Sequence, residues 1–370
     1  MPITVGTMMK YLIAIFLFAA PFTRAVAIEE IKIERIFGPE IPGEYKHPAS
    51  ITELDNGDLY LVYYGGAGEY SSDTAVYGSR LAKGGSEWTR PAIIADTPGR
   101  SEGNAVVWQA PDGIVWLFYI TNYGSTWSES RIKYKLSKDR AQTWSDSDIL
   151  TFELGSMVRG RPIVLNDGDY LLPVYHETGG DREWTGEDTC SYFFRFDRKT
   201  KTWSESNRIH APNGNLQPAV VQINDNYLVA YCRPGGDFEP NPNRFVIRSE
   251  SRDGGDTWSD GEDSEFPNPN SAVDFIRLQS GHLLLVYNNT NVGDRMPLTA
   301  AISTDNDRSY PHRRNLVNQP GDTAAYPVAI QTQDGKIHVV YTSQERTVVN
   351  RATFDESAIL GHKVERQEAD

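Results

Sequence analysis

Several guanidinium, carboxyl and amide side chains stand at the ends of strand-like runs in this 370-residue chain. Glu102 and Asn104 lie at the opening of one apolar run. Arg159 and Arg161 open the next, and His176 and Glu177 close it. Asp274 lies inside a later run. These residue types support two kinds of chemistry. A planar guanidinium grips an acidic group through two parallel hydrogen bonds. A carboxyl near an apolar pocket has its pKa raised by burial and can act as a proton donor. Metal chemistry has no comparable footing, because the chain has no H-E-x-x-H, no Cys cluster and no EF-hand spacing, and no cofactor is implied. The candidates lie tens of residues apart. They act together only if the fold brings the chain back to one place at intervals.

The sequence supplies such intervals. An apolar run, a turn of Asp, Asn and Gly, and a second run rich in Tyr, Val and Leu recur six times. The copies begin at His47, Gly103, Gly160, Leu216, Ser271 and Ala325, with spacings of 56, 57, 56, 55 and 54 residues. A period near 50 marks a repeat architecture. Each copy reads as a β-hairpin, since two strand-like runs flank a turn-forming tetrapeptide. Six such units set radially make an all-β, six-bladed propeller whose equivalent strand ends converge on a central mouth. A blade needs four strands, and only TVVNRATFD follows the sixth hairpin. Ile31–Phe37 is therefore expected to complete the blade of residues 325–353 and close the ring.

The termini and composition bound the biology. Lys10, the apolar run YLIAIFLFAAPF and the small-residue site Ala25-Val26-Ala27 predict a secretory signal over 1–27, cleaved after Ala27. The propeller then spans 28–360, with a polar tail over 361–370. No second run is long enough to cross a bilayer, so the expected location is secreted or periplasmic. Removing Lys10 and Arg24 with the signal takes the formal net charge from −14 to −16. Such an acidic chain disfavours nucleic-acid partners. Cys190 and Cys232 lie in neighbouring repeats and read equally as a bridge or as two thiols. Oligomeric state is not encoded in any feature of the sequence.

A second motif lies between hairpins. Ser137-Lys-Asp-Arg-Ala-Gln-Thr-Trp144 and Ser251-Arg-Asp-Gly-Gly-Asp-Thr-Trp258 fit S-x-D-x-x-x-T-W, Ser303–Tyr310 is a degenerate copy, and shorter remnants end at Trp88 and Trp203. Asp and Ser can bond nearby backbone groups while the ring packs between blades, which makes these turns folding staples.

Together the motifs resemble the Asp-box repeats of the sialidase superfamily, the six-bladed propeller glycosidases. The likeness extends over nearly the whole chain after the signal and is to the bacterial and plant branch of sialidase-like, or BNR-repeat, proteins. It implies a glycan substrate ending in sialic acid or another acidic sugar. It also implies a retaining mechanism with Tyr326, in Ala325-Tyr326, as nucleophile. By the same resemblance Arg233 and Arg295 hold the substrate's acidic group. Glu69 in GGAGEYSSD is the acid/base, with Asp73 as runner-up and a turn-capping alternative.

Two positions depart from the family pattern. His47 stands where the first family arginine belongs, and Lys46 beside it would point to the other side of the strand. Gln217 stands where the glutamate partner of the tyrosine belongs; it can position a phenol but cannot take its proton. His47 is then a donor to a substrate oxygen or the missing base, while Glu177 and Asp274 are the other substitutes for that base. Arg161 and Asn104 complete the expected substrate contacts. His47, Glu69, Arg233, Arg295 and Tyr326 are expected in one cavity. Two rival readings are a propeller lyase or glycosidase of different sugar specificity, with His47 or His176 as base, and a non-catalytic carbohydrate-binding propeller.

Overall fold

The computed structural model describes residues 1–2, 30–182 and 184–362. The expected signal segment, apart from Met1 and Pro2, and the tail beyond His362 lie outside them. Each apolar–turn–apolar unit contributes to one antiparallel sheet, and six sheets form the blades of a propeller. The first blade runs Tyr45–Glu53, Leu59–Gly66, Ala75–Leu81 and Ala92–Ala95. Gly57 takes the positive φ of 83° that its tight turn requires, where a Cβ would be strained. The fourth hairpin has no glycine. Its Asn224 side chain instead accepts from the backbone N–H of Asn226 and Tyr227, at 3.1 and 3.0 Å.

Ring closure follows the strand count. Lys32–Phe37 pairs antiparallel with Val348–Phe354, with Ile33 opposite Ala352, as the fourth strand of the last blade. The strand begins one residue later than the sequence predicts. Between neighbouring blades lie apolar clusters, such as Val106, Trp116 and Phe118 against Tyr170, Leu172 and Phe194. Each fully buried aromatic such as Phe118 contributes about 2 kcal/mol by leaving water. Among the described residues helix is confined to Trp127–Glu129 and Ser357–Leu360.

The Asp boxes are self-contained turns. Asp253 accepts from Ser251 Oγ (2.8 Å), Thr257 N (2.9 Å) and Thr257 Oγ1 (2.5 Å). Trp258 then stacks on Phe193 of the preceding blade at 4.2 Å between centroids. Cys190 and Cys232 are both buried and free, so the bridge reading fails.

The innermost strands are irregular where they approach the mouth. Pairing register shifts between His47 and Ala49, Gly103 and Val106, Leu216 and Ala219, and Ala325 and Val328. Pro48, Pro218 and Pro327 sit in three of these shifts and lack the N–H that a regular ladder needs. Asn104, Gln217 and Tyr326 adopt positive φ of 42°, 55° and 55° there. That conformation costs a bulky side chain about 1–3 kcal/mol and is typical of functional sites. The bulge re-aims the side chain away from the regular face of the sheet. In the third blade the inner strand breaks into Ser156–Val158 and Ile163–Val164 around Arg159-Gly160-Arg161-Pro162. Gly160 is required there, since a Cβ would lie 2.4 Å from the carbonyl of Pro218.

Candidate active site

The bulged positions and the loops beyond the hairpins line a cavity of about 160 Å³. Tyr326 occupies its floor and is buried. Arg233 Nη1 donates to its hydroxyl at 2.8 Å, and Gln217 Nε2 approaches it at 3.5 Å. The guanidiniums of Arg295 and Arg159 lie 5.2 and 5.5 Å from its ring centre. Burial alone would push the phenol's pKa up. The charges of Arg233, Arg295 and Arg346 outweigh it and bring the phenol down to about 8.

The arginines are held from behind. Arg233 Nε donates to Asn270 Oδ1 at 2.7 Å and its Nη1 to Gln217 Oε1 at 3.3 Å. Arg295 Nη2 donates to the carbonyl of Asn270 at 3.2 Å, while its Nη1 is buried without a partner. Burial lowers Arg295 to about 10. A buried guanidinium nitrogen left open at a cavity is ready for an incoming acceptor.

Arg346 is the residue that the sequence reading missed. It lies in the turn between Ile337–Ser343 and Val348–Phe354, where Gln344, Glu345 and Arg346 all have positive φ. Its Nη1 donates to Glu69 Oε2 at 2.6 Å and to the Tyr45 hydroxyl at 2.8 Å. Glu69 also accepts from the hydroxyls of Tyr45 (3.0 Å) and Tyr64 (3.4 Å). A third guanidinium therefore reaches the cavity from the sixth blade, where the first blade carries His47. The available signal was position: Arg346 follows the sixth hairpin much as Arg233 and Glu69 follow the fourth and first.

Glu177 faces the same cavity across from the phenol's arginines. Burial is the main influence on its carboxyl, opposed by Arg233 and reinforced by Glu69, and the net effect raises it to about 7. Asn104 lines the cavity and donates to the Tyr175 hydroxyl at 3.0 Å. Trp127, Trp184 and Phe238 form an aromatic rim that sequence reasoning also missed. Nothing in the repeat pattern marks loop aromatics as different from packing aromatics.

Of the expected five, Glu69, Arg233, Arg295 and Tyr326 line the cavity, and His47 stands behind the phenol. The His47 ring meets that of Tyr326 edge-on at 4.1 Å, and its Nδ1 pairs with Thr342 Oγ1 at 2.9 Å. Burial and the surrounding arginines hold its pKa well below the usual histidine value, so the ring is neutral. It packs the nucleophile candidate and does not line the substrate cavity. Lys46 points elsewhere, as expected, and donates to the carbonyl of Ile41 at 3.0 Å.

Three expected site residues lie apart from the cavity. Asp73 caps its own turn, accepting from Ser71 Oγ at 2.6 Å and Ala67 N at 3.1 Å. Arg161 and Asp274 line a separate cavity of about 270 Å³ in the channel. Asp274 Oδ2 accepts from Ala329 N at 2.6 Å, and Arg161 Nη2 donates to the carbonyl of Ala329 at 3.0 Å. Arg159 Nη2 donates to the carbonyl of Pro327 at 2.6 Å. The inner edge of the strand carrying Tyr326 has no strand beside it, so its peptide groups must find side chains. These charged residues fix that strand, although the Nε of Arg159 and of Arg161 keep no partner. His176 is likewise engaged outside the cavity, with Nε2 3.0 Å from the carbonyl of Leu154.

Among the described residues no group of His, Cys, Asp and Glu is arranged to hold a metal, and no helix is long and apolar enough to cross a membrane.

Solved structures share this architecture. The Hadza microbial sialidase Hz136 superposes with a TM-score of 0.70 at 16% identity, covering 85% of this chain and 66% of that one. The NanB sialidase of Streptococcus pneumoniae gives 0.71 at 11% identity, covering 88% and 71%. The α-L-arabinofuranosidase Arb93A of Fusarium graminearum gives 0.64 at 14% identity, covering 89% and 98%. At such identities the likeness is one of fold. No curated protein sequence matches the chain. The model of the BNR repeat-like domain matches residues 57–339, a span that runs from the first hairpin turn into the last hairpin. The chain therefore belongs to the BNR repeat-like family.

Proposed function

We propose that this protein is an exported exo-glycosidase that releases a terminal acidic sugar, sialic acid or a close analogue, from a glycan with retention of configuration. The observation that carries the reading is the pairing of opposite shifts in one cavity. A phenol is lowered to about 8 by three guanidiniums, and a carboxyl is raised to about 7 by burial. The two shifts converge near neutral pH, where a fraction of molecules holds an ionised phenol and a protonated carboxyl together, as a nucleophile and an acid require. The Tyr326 phenolate attacks the anomeric carbon and forms a covalent glycosyl–tyrosine bond as the glycosidic C–O bond breaks. Glu177 gives its proton to the departing oxygen. Water then attacks the same carbon, its proton passes to Glu177, and Tyr326 leaves as phenolate. Arg295 and Arg233 hold the acidic group of the sugar, and Gln217 orients the phenol. Glu69 takes the role of fixing Arg346, since its oxygens are spent on that guanidinium and two hydroxyls.

The test is a panel of glycosides differing in the terminal sugar, with released monosaccharide read by mass. Release of acidic sugars alone supports the reading. Release of neutral sugars only, or none, defeats it. The substitution of a base by Gln217 favours a second reading, a carbohydrate-binding propeller without turnover. Glycan binding with no release from any glycoside would establish that one.

A further inference from the structure

Beside the candidate active site lies a larger pocket of about 430 Å³ with a different character. Trp184 lines both cavities and is 55% exposed. Its indole face is therefore open to a ring that enters either cavity. Its loop is built to hold it there. Trp184 N donates to Asp181 Oδ1 at 3.1 Å, Gly186 N to the carbonyl of Thr178 at 3.0 Å, and Thr185 forms a β-bridge to Gly236 of the fourth blade. That bridge joins the walls of the two cavities, since Thr185 lines the first and Gly236 the second. From Trp184 the pocket runs outward along the fourth blade to its outermost strand, Glu262–Pro267.

The charges of the two cavities are opposed. Arg233, Arg295 and Arg346 reach the first. The second is lined by Glu187, Asp237, Glu262 and Asp263 against a single guanidinium, Arg244. That guanidinium is already engaged by Asp237 Oδ1 at 2.8 Å and the carbonyl of Glu239 at 3.1 Å. The amides of Asn213, Asn241 and Asn243 stand between the acids. A pocket of this size with the aromatic side chains of Trp184 and Phe245 and several hydrogen-bonding groups suits a polyhydroxylated ring. Its acids repel an anion and attract an amine.

We infer that this pocket receives the leaving-group side of the substrate, a non-acidic sugar with free amines favoured. The assignment of that sugar as leaving group rests on the glycosidase reading above. The substrate class is then a single acidic sugar ending a neutral or amine-bearing oligosaccharide, and chains of consecutive acidic sugars are rejected.

The test is calorimetric titration at about 20 mM salt, where charge is weakly screened. The probes are a neutral disaccharide and a disaccharide of the same linkage carrying one free amine. The amine probe is expected to bind about tenfold tighter than the neutral one. Trp184→Ala should weaken both about tenfold. Glu262→Gln with Asp263→Asn, both exposed and remote from the blade cores, should bring the amine probe to the level of the neutral one. Binding of neither probe at millimolar concentration, or an amine preference that survives the double substitution, overturns the inference. The titrations need no turnover. A protein that binds both probes but cleaves no glycoside refutes the glycosidase reading and keeps this pocket as a sugar site. One that cleaves acidic glycosides but binds neither probe does the reverse.

Discussion

The outer turns and the inner mouth of the propeller both occupy fixed places in the repeat, yet they use repetition in opposite ways. In the outer turns the same residues do the same work. Asp139, Asp253 and Asp305 each accept from a Ser two residues before and a Thr or Ser four residues after. Each circuit closes on itself, so one copy can decay without harming the next. At the mouth the backbone position is shared and the side chain is not: Asn104, Gln217 and Tyr326 take similar positive φ in three different blades. None of these is useful alone, because the phenol's chemistry depends on arginines from the fourth, fifth and sixth blades.

The sharpest way to separate the two regions is to remove one functional group from each. Tyr326→Phe deletes the hydroxyl on which Arg233 and Gln217 converge. Turnover should fall at least about a thousandfold, as for loss of a nucleophile, with stability changed by no more than about 1 kcal/mol. Released sugar and a thermal melt check both halves. Asp307→Ala is the structural counterpart. This buried carboxylate of the degenerate Asp box accepts from Tyr231 (2.9 Å), Tyr310 (2.7 Å) and Arg248 Nε (2.9 Å). Removing it leaves those donors unpaired and should cost about 3 kcal/mol in a denaturant titration, with kcat/KM unmoved. If Asp307→Ala instead altered kcat/KM, this outer contact between the fourth and fifth blades would not be separate from the mouth.

A smaller effect probes how the mouth is assembled. In the proposed mechanism the active form needs Tyr326 ionised, which is gained as pH rises toward about 8, and Glu177 protonated, which is lost as pH rises through about 7. The profile of kcat/KM should therefore be a bell centred between these values, with about one molecule in twenty correctly protonated at the peak. Arg346→Ala removes a positive charge near the phenol, so the phenol's pKa rises. The profile should shift alkaline and kcat/KM at pH 7 should fall about tenfold. An unshifted profile would remove Arg346 from the set that tunes the phenol.

Legibility in the sequence follows the same division. The repeat, the hairpins and the closing strand were readable because each blade buries the same face, and burial leaves a periodic trace in residue type. Tyr326, Arg233 and Arg295 were singled out by the resemblance to the sialidase superfamily, and the fold brings all three to one cavity. Arg346 was missed although it follows its hairpin much as Arg233 and Glu69 follow theirs, because its carboxylate partner, Glu69, is 277 positions away. Asp274 and Arg161 lie apart from that cavity for a related reason. A charged side chain at the mouth end of an inner strand satisfies a substrate or a bare peptide edge equally well, and here both bond the Ala329 peptide groups. Glu177 was visible as a residue, but its raised carboxyl was not, since burial is a property of the folded loop.

The last substitution restores the residue type that the family pattern expects. Gln217→Glu would put a carboxylate 3.5 Å from the phenol and 3.3 Å from Arg233 Nη1. In this site the three guanidiniums already favour the phenolate, so a new negative charge opposes them. It raises the phenol's pKa directly and also claims part of the Arg233 charge. The bell should move toward higher pH, and kcat/KM at pH 7 should fall by about threefold. The fold should tolerate the change, because the two side chains are nearly isosteric and Arg233 gains an ion pair. A rise in kcat/KM with an unshifted profile would show that proton removal from Tyr326 limits the wild-type enzyme. The mouth would then be a sialidase-type site lacking its base, and not one in which arginines have replaced that base.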